Sequence, residues 1–176
     1  LAAEDNTDLS SYLRAIEGKT SALFELPVHG AALVAGRGLE GAQTISAPFA
    51  TVGMLFQMQD DVLDLFGDKG RDEIGADLRE GKISALVVEH LRLHPEDSEG
   101  LLELLRLPRD GTPTGRIEET ISAFRDGGAL LGVCNRIRGM ADDATGSSCL
   151  EAEPALRDLL GRMVDLILTP ISHVLD

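Results

Sequence analysis

Apolar residues recur at helical spacing along most of the chain. Leu9, Tyr12, Leu13, Ile16, Thr20, Leu23 and Phe24 follow one another at intervals of three or four, the pattern of one helix face. Thr7 or Asp8 stands where a helix beginning at Leu9 would be capped. Pro27 is expected to kink or restart this helix, because its ring removes a backbone donor and crowds the preceding turn. The helix then runs on through Ala31 and Ala35 and ends near Gly36 and Gly38. A second helix is expected from about Leu39 to Phe66. Its apolar residues (Ile45, Phe49, Val52, Leu55, Phe56, Val62, Leu63, Phe66) cover most of its circumference, which assigns it to a core. Residues 67–82, rich in glycine and mixed charge, are expected to be a surface loop. Further helices are expected at about 83–94, 96–107, 116–141 and 152–174, with a turn at 108–115. Within 116–141, Gly127-Gly128-Ala129 fits a close helix contact. No stretch alternates with period two. The expected fold class is all-α, one helical domain over 1–176 with orthogonal or bundle-like packing.

Composition narrows the function classes. The 176 residues are 43% hydrophobic and 26% charged, which suits a packed globular domain. Lys and Arg total 16 against 30 Asp and Glu, a net charge of -14. Without a basic run, such a chain repels nucleic acid and anionic lipid. Aromatic residues at 3% and the lack of Trp also argue against base-stacking platforms. Cys134 and Cys149 are too few for a disulfide scaffold or a cysteine-rich zinc site, and a reducing cytoplasm is the expected compartment. The apolar stretch 22–35 is broken by Glu25, Pro27 and His29, so no membrane span is expected. An anionic ligand would therefore need a metal or a small focused group of cations.

The aspartates of QMQDDVLD interrupt the apolar helix. Asp60 and Asp64, four apart, share a face, and Asp61 lies about 100° round the axis. Two such charges at about 4 Å repel by roughly 4 kcal/mol at an effective dielectric of about 20. The middle of a helix offers no dipole relief, so either proton uptake or a cation must offset the repulsion. Carboxylate oxygens suit Mg²⁺, which takes one or two of them plus waters and substrate phosphates. An isolated DDxxD is more often a solvated acidic face, but the apolar flanks on both sides count against that here.

Two lysines complete the chemistry. Lys19 and Thr20 stand side by side within an apolar helix, where they could hold a phosphate; alternatively Lys19 extends to water. The GKT triplet is not a phosphate-binding loop, because the required upstream glycine is missing and the triplet stands inside a helix and not after a strand. Asp77 and Lys82, in GADLREGKIS, read alone as a charged loop. Gln57, one turn before Asp61, reads alone as a core amide. Together these residues would neutralise phosphate charge, which heterolysis of a diphosphate ester requires.

Three ordered pieces carry a resemblance: YLRAIEGKTSALF, GMLFQMQDDVLDLFGD and GADLREGKIS. The run from Tyr12 to Leu91 resembles the C-terminal half of the trans-isoprenyl diphosphate synthases, or polyprenyl synthetases, of the geranylgeranyl and farnesyl diphosphate synthase kind. FQMQDDVLD looks like that family's second aspartate-rich motif. The resemblance implies the terpenoid-synthase helical fold and Mg²⁺-dependent condensation of an allylic diphosphate with isopentenyl diphosphate, releasing pyrophosphate. It implies Asp60 as a Mg²⁺ ligand, with Asp61 and Asp64 in the inner or outer sphere, and Lys19 and Lys82 on the allylic diphosphate. Thr20 and Gln57 would stabilise the carbocation, and Asp77 would orient the loop. It also implies a homodimer. Residues 92–176 carry no motif of comparable specificity.

The sequence departs from the family in two places. The lysine expected before the Gly-x-Asp of the loop is missing, Glu73 standing in that stretch; Lys69 or Arg71 could substitute. The first aspartate-rich motif is also missing, since Asp142-Asp143 is followed by Ala144 and Gly146 and does not qualify. The chain begins at Leu1, so an N-terminal half carrying that motif is expected, and catalysis is expected of the protein that includes it. The alternatives are a non-catalytic or half-site partner subunit of such a synthase, and a terpene cyclase on the same fold.

Overall fold

The computed structural model describes residues 8–67 and 74–175. Among them every regular element is helical, as the hydrophobic pattern implies. In chain order these are α1 (Leu9–Ile16), a π turn (Glu17–Ser21), α2 (Ala22–Val34), α3 (Gly38–Phe66), α4 (Ala76–Arg79), α5 (Ala85–Leu93) and α6 (Ser98–Arg106). They are followed by α7 (Thr114–Asp126), α8 (Ala129–Thr145), α9 (Pro154–Leu168) and α10 (Ser172–Leu175). No helix among the described residues is long and apolar enough to cross a membrane.

The chain divides into two compact units. One gathers the segment ending at Tyr12, Asp60–Asn135 and the stretch from His173; the other gathers Leu13–Gln59 and Arg136–Ser172. In the first, Tyr12, Val62, Leu78, Leu86, Val87, Leu104, Ile117 and Phe124 are buried. In the second, Phe49, Val52, Leu55, Met58, Ile137, Leu150, Leu160 and Ile171 are buried. Helix α3 belongs to the second unit as far as Gln59 and to the first from Asp60.

Local chemistry sets the helix ends. Asp8 caps α1: its carboxylate accepts the Ser11 amide at 3.0 Å and the Ser10 and Ser11 hydroxyls at 2.6 and 2.7 Å. These donors hold the Asp8 carboxyl well below its ordinary value. Thr7, the other candidate cap, lies outside the described residues. Helix α2 closes in a paired C-terminal motif: Gly36 N–H donates to Leu33 O at 2.9 Å and Arg37 N–H to Ala32 O at 3.1 Å. Gly36 adopts φ +81°, the left-handed conformation this ending needs.

Two expectations are corrected. The first helix is interrupted at the π turn Glu17–Ser21, and Pro27 lies inside α2 and does not restart the helix. The carbonyl that Pro27 leaves without a donor belongs to Leu23, which is 71% exposed, so water can serve it. The single helix expected over 116–141 is two, α7 and α8, separated by Gly127 and Gly128. Gly128 takes φ +86°, and the glycine pair ends α7 and does not merely allow a close contact.

A histidine packs against this break. His94 Nε2 lies 2.9 Å from Gly127 O, at the C-terminal end of α7. That carbonyl, and after it Glu96 and Asp97, raise the His94 pKa, while partial burial opposes them; the His90 ring lies 4.9 Å away. A raised folded-state value means that His94 stabilises the fold fully below its ordinary value near 6.5 and loses that contribution as pH rises through the folded-state value. Replacing His94 by Gln is therefore expected to lower the melting temperature more at about pH 6 than at about pH 9. Equal losses at both would remove the assigned role of the charged ring.

Candidate active site

Helix α3 carries the aspartates into the first unit, where Asp61 and Asp64 meet different parts of the fold. Asp61 Oδ2 accepts two short hydrogen bonds, from the Tyr12 hydroxyl at 2.7 Å and from the Ala85 amide at 2.6 Å. Ala85 is the first residue of α5, whose start is capped by the Ser84 hydroxyl accepting from Val87 N–H at 3.4 Å. Asp61 thus faces the positive end of α5. Even so, its pKa is pushed up to about 7, chiefly by burial; the Ala85 and Tyr12 donors pull it down, and the charges of Asp77 and Asp60 push it up. Tyr12 is pushed well above its ordinary value by burial and then by the Asp61 and Asp60 charges. Asp64, only 4% exposed, accepts the Asp77 amide on Oδ2 at 3.1 Å, and its main-chain oxygen accepts Gly75 N–H at 3.1 Å. Asp60 is half-buried.

The segment that follows is wound tightly. Sequence composition suggested a surface loop over 67–82, but in its described part Ala76, Asp77, Leu78 and Arg79 form α4 and are buried. Gly75 at φ +79° and Gly81 at φ +68° bracket α4 and let the chain turn inward and out again. Arg79 is anchored by donating to Thr112 O at 2.8 Å and to the Thr114 hydroxyl at 3.3 Å. Lys82 Nζ lies 2.6 Å from Asp77 Oδ1 and 2.9 Å from Glu80 Oε2, and those two carboxylates raise its pKa. The Lys82 side chain is still 53% exposed. A ligand could reach it at the cost of exchanging these partners. Lys69, Arg71 and Glu73 lie outside the described residues.

The second unit holds the other sequence-predicted residues. Lys19 and Thr20 fall in the π turn, a form often found at functional positions. Lys19 is exposed, as the extended-to-water reading expects. Thr20 is buried and donates its hydroxyl to Gln57 Oε1 at 2.7 Å, which pairs two candidates that lie 37 residues apart. Gly53 makes this pairing possible: a Cβ there would stand 2.6 Å from the Ser21 Cα and 2.9 Å from the Ser21 amide nitrogen. The π turn and α3 thus meet backbone to backbone.

The structure links Asp64, Asp77 and Lys82 by hydrogen bonds, joins Asp61 to Tyr12 and Ala85 with the Asp77 charge acting on it, and pairs Thr20 with Gln57 in the other unit. Among the described residues, no group of three or more His, Cys, Asp or Glu side chains is arranged to cage a metal ion. Mg²⁺ needs no such cage, since one or two carboxylates suffice when waters and phosphates complete its shell. The donor set fits it: hard carboxylate oxygens only, with the charges of Asp77 and Asp60 acting on the buried Asp61. Tyr12 and Gly53 escaped the reading of the chain as functional positions. Each left a signal: Tyr12 is the sole tyrosine and sits at a core position, and Gly53 is a glycine inside a strongly apolar helix.

The fold is all-helical, of the terpenoid-synthase type. The Polyprenyl synthetase family pattern matches residues 1–124. The chain belongs to that family. It is 38% identical over 100 residues to the short chain isoprenyl diphosphate synthase of Methanocaldococcus jannaschii, covering 55% of this chain and 31% of that protein. It is 32% identical over 129 residues to the all-trans-nonaprenyl-diphosphate synthase (geranyl-diphosphate specific) of Rhodobacter capsulatus, covering 72% of this chain and 38% of that protein. The crystal structure of a decaprenyl diphosphate synthase from Rhodobacter capsulatus superposes with a TM-score of 0.79 at 24% identity, over 96% of this chain and 52% of that one, which shows the shared fold. The chain thus spans about a third of the curated relatives it matches and about half of that solved structure.

Proposed function

We propose that the protein carrying this chain is a prenyltransferase that condenses an allylic diphosphate with isopentenyl diphosphate. The allylic C–O bond breaks and pyrophosphate leaves with the bonding electrons. The alkene of isopentenyl diphosphate attacks the resulting carbocation to form a C–C bond, the new cation gives a proton to a base such as the released pyrophosphate, and a longer polyprenyl diphosphate results. What carries this reading is the Asp–Lys network of α3, α4 and Lys82, which lies inside the segment matched by the family. Residues 1–176 are read as the C-terminal portion of one polyprenyl synthetase domain.

Each residue has a role in this reading. Asp60, with Asp61 and Asp64 in the inner or outer sphere, would hold Mg²⁺, which supplies neutralisation of the leaving diphosphate. Lys19 and Lys82 bind the diphosphate oxygens, where negative charge grows as the bond breaks. Asp77 orients the loop that carries Lys82, through the 2.6 Å contact between them. Thr20 donates a hydrogen bond from its hydroxyl to Gln57, so the lone pairs of the two side-chain oxygens remain to stabilise a cation. The same reading carries a homodimer in the cytoplasm; the free thiols of Cys134 and Cys149 suit a reducing compartment.

Lys82→Ala tests the reading. In a pyrophosphate-release assay on the whole protein, it is expected to raise the KM for the allylic diphosphate or lower turnover by about 10- to 100-fold, the scale of losing one charge-assisted contact. Unaltered kinetics would return Lys82 to an exposed loop charge.

A further inference from the structure

Tyr12 lies outside every role assigned above, yet it is only 3% exposed and its hydroxyl has a specific partner. A buried phenol oxygen is costly unless it is hydrogen-bonded. Here it donates to Oδ2 of Asp61 at 2.7 Å, across 49 residues of sequence. The same oxygen accepts the Ala85 amide at 2.6 Å. Both distances are in the short range of bonds to a charged acceptor. One oxygen of Asp61 is thus engaged from two sides, by α1 and by the first amide of α5. The carboxylate is thereby barred from chelating a cation through both oxygens, and Oδ1 is the oxygen left for a ligand.

We propose that Tyr12 is a positioning residue of the diphosphate–cation site: its hydroxyl, acting with the Ala85 amide, locks Asp61 so that the carboxylate meets a divalent cation through Oδ1 alone. The inference rests on the prenyltransferase reading and deepens it. It gives Tyr12 a function apart from filling the core, for which phenylalanine would serve equally well. It also ties the start of α5, three residues beyond Lys82, to the same carboxylate.

The test is calorimetric titration of Mg²⁺ with inorganic pyrophosphate into the whole protein and into its Tyr12→Phe variant, with melting temperatures recorded for both. Phenylalanine keeps the ring and removes only the donor. The expected result is Mg²⁺–pyrophosphate binding weakened by about 10- to 100-fold, the usual effect of removing a group that orients a metal-binding side chain. The Mg²⁺ concentration giving half-maximal turnover should rise in parallel. A lower melting temperature with undiminished affinity would assign Tyr12 a packing role and overturn the proposal. If Tyr12→Phe fails to fold, Ala85→Pro removes the other donor and is read in the same way. Position 85 is the first of a helix, where proline is tolerated, and Ser84 before it is already extended at φ -92°, ψ 170°. An unsubstituted protein that binds no Mg²⁺–pyrophosphate would overturn the prenyltransferase reading and the role of Tyr12 with it. Intact binding in Tyr12→Phe overturns the role of Tyr12 alone.

Discussion

Replacing Asp60 by Ala in the whole protein is expected to cut turnover by about 100- to 1,000-fold, the scale of removing one preorganised group that stabilises developing charge. The fold should survive. Asp60 is half-buried, and its charge is one of those that push the neighbouring Asp61 carboxyl upward. Removing it relieves that repulsion on Asp61. Asp61 and Asp64 are different. Each accepts backbone amides that seat α5 and the α4 segment, so truncating either leaves buried donors without acceptors and destabilises the fold directly. The expected pattern is therefore activity lost with stability retained at Asp60, against both lost together at Asp64. Full activity in Asp60→Ala would remove it from the metal site.

Gly81→Ala is expected to be the most damaging single methyl group in the described chain around the site. Gly81 holds φ +68°, and an added Cβ would stand 2.3 Å from the Leu105 carbonyl oxygen, a backbone atom that cannot swing aside. The left-handed conformation costs about 1–2 kcal/mol for a residue with a side chain, and overpacking adds about 1–3 kcal/mol. For a chain of this size each kcal/mol lowers the melting temperature by about 2–4 °C. Gly36→Ala is the internal control. It holds φ +81° but has open space where its Cβ would go, so only the conformational cost applies. Equal melting temperatures for the two variants would refute the close approach at Leu105. Because Lys82 follows directly, Gly81→Ala should also weaken diphosphate binding in whatever fraction remains folded.

Much of this architecture was legible along the chain. The bounds of α3 lie within a residue of those expected, because an apolar surface nearly all round a helix has few alternatives to burial. The Asp8 cap was legible because it is a local interaction over three residues. Errors fell where two local signals compete. Pro27 is a strong breaker on its own, yet it stands inside α2, where Leu23, whose carbonyl loses its donor, is exposed. The π turn that does interrupt the helix leaves no composition signature in EGKTS. Gly127-Gly128 was visible as a pair, yet choosing between a close contact and a chain break depended on the φ +86° that Gly128 adopts.

The sequence by itself determined the helical class, the long apolar α3 and the aspartates and lysines of the candidate site. These follow from periodicity, helix-end chemistry and charge, all of which act over a few residues. The tertiary structure decided how the aspartates divide their work: Asp61 takes Tyr12 and Ala85, Asp64 takes Asp77, and Asp77 takes Lys82. It also decided that α4 is buried. Residues 12, 61 and 85 carry no mutual signal along the chain, because hydrogen-bond partners so far apart are chosen by packing, once burial leaves each polar group only the neighbours within reach.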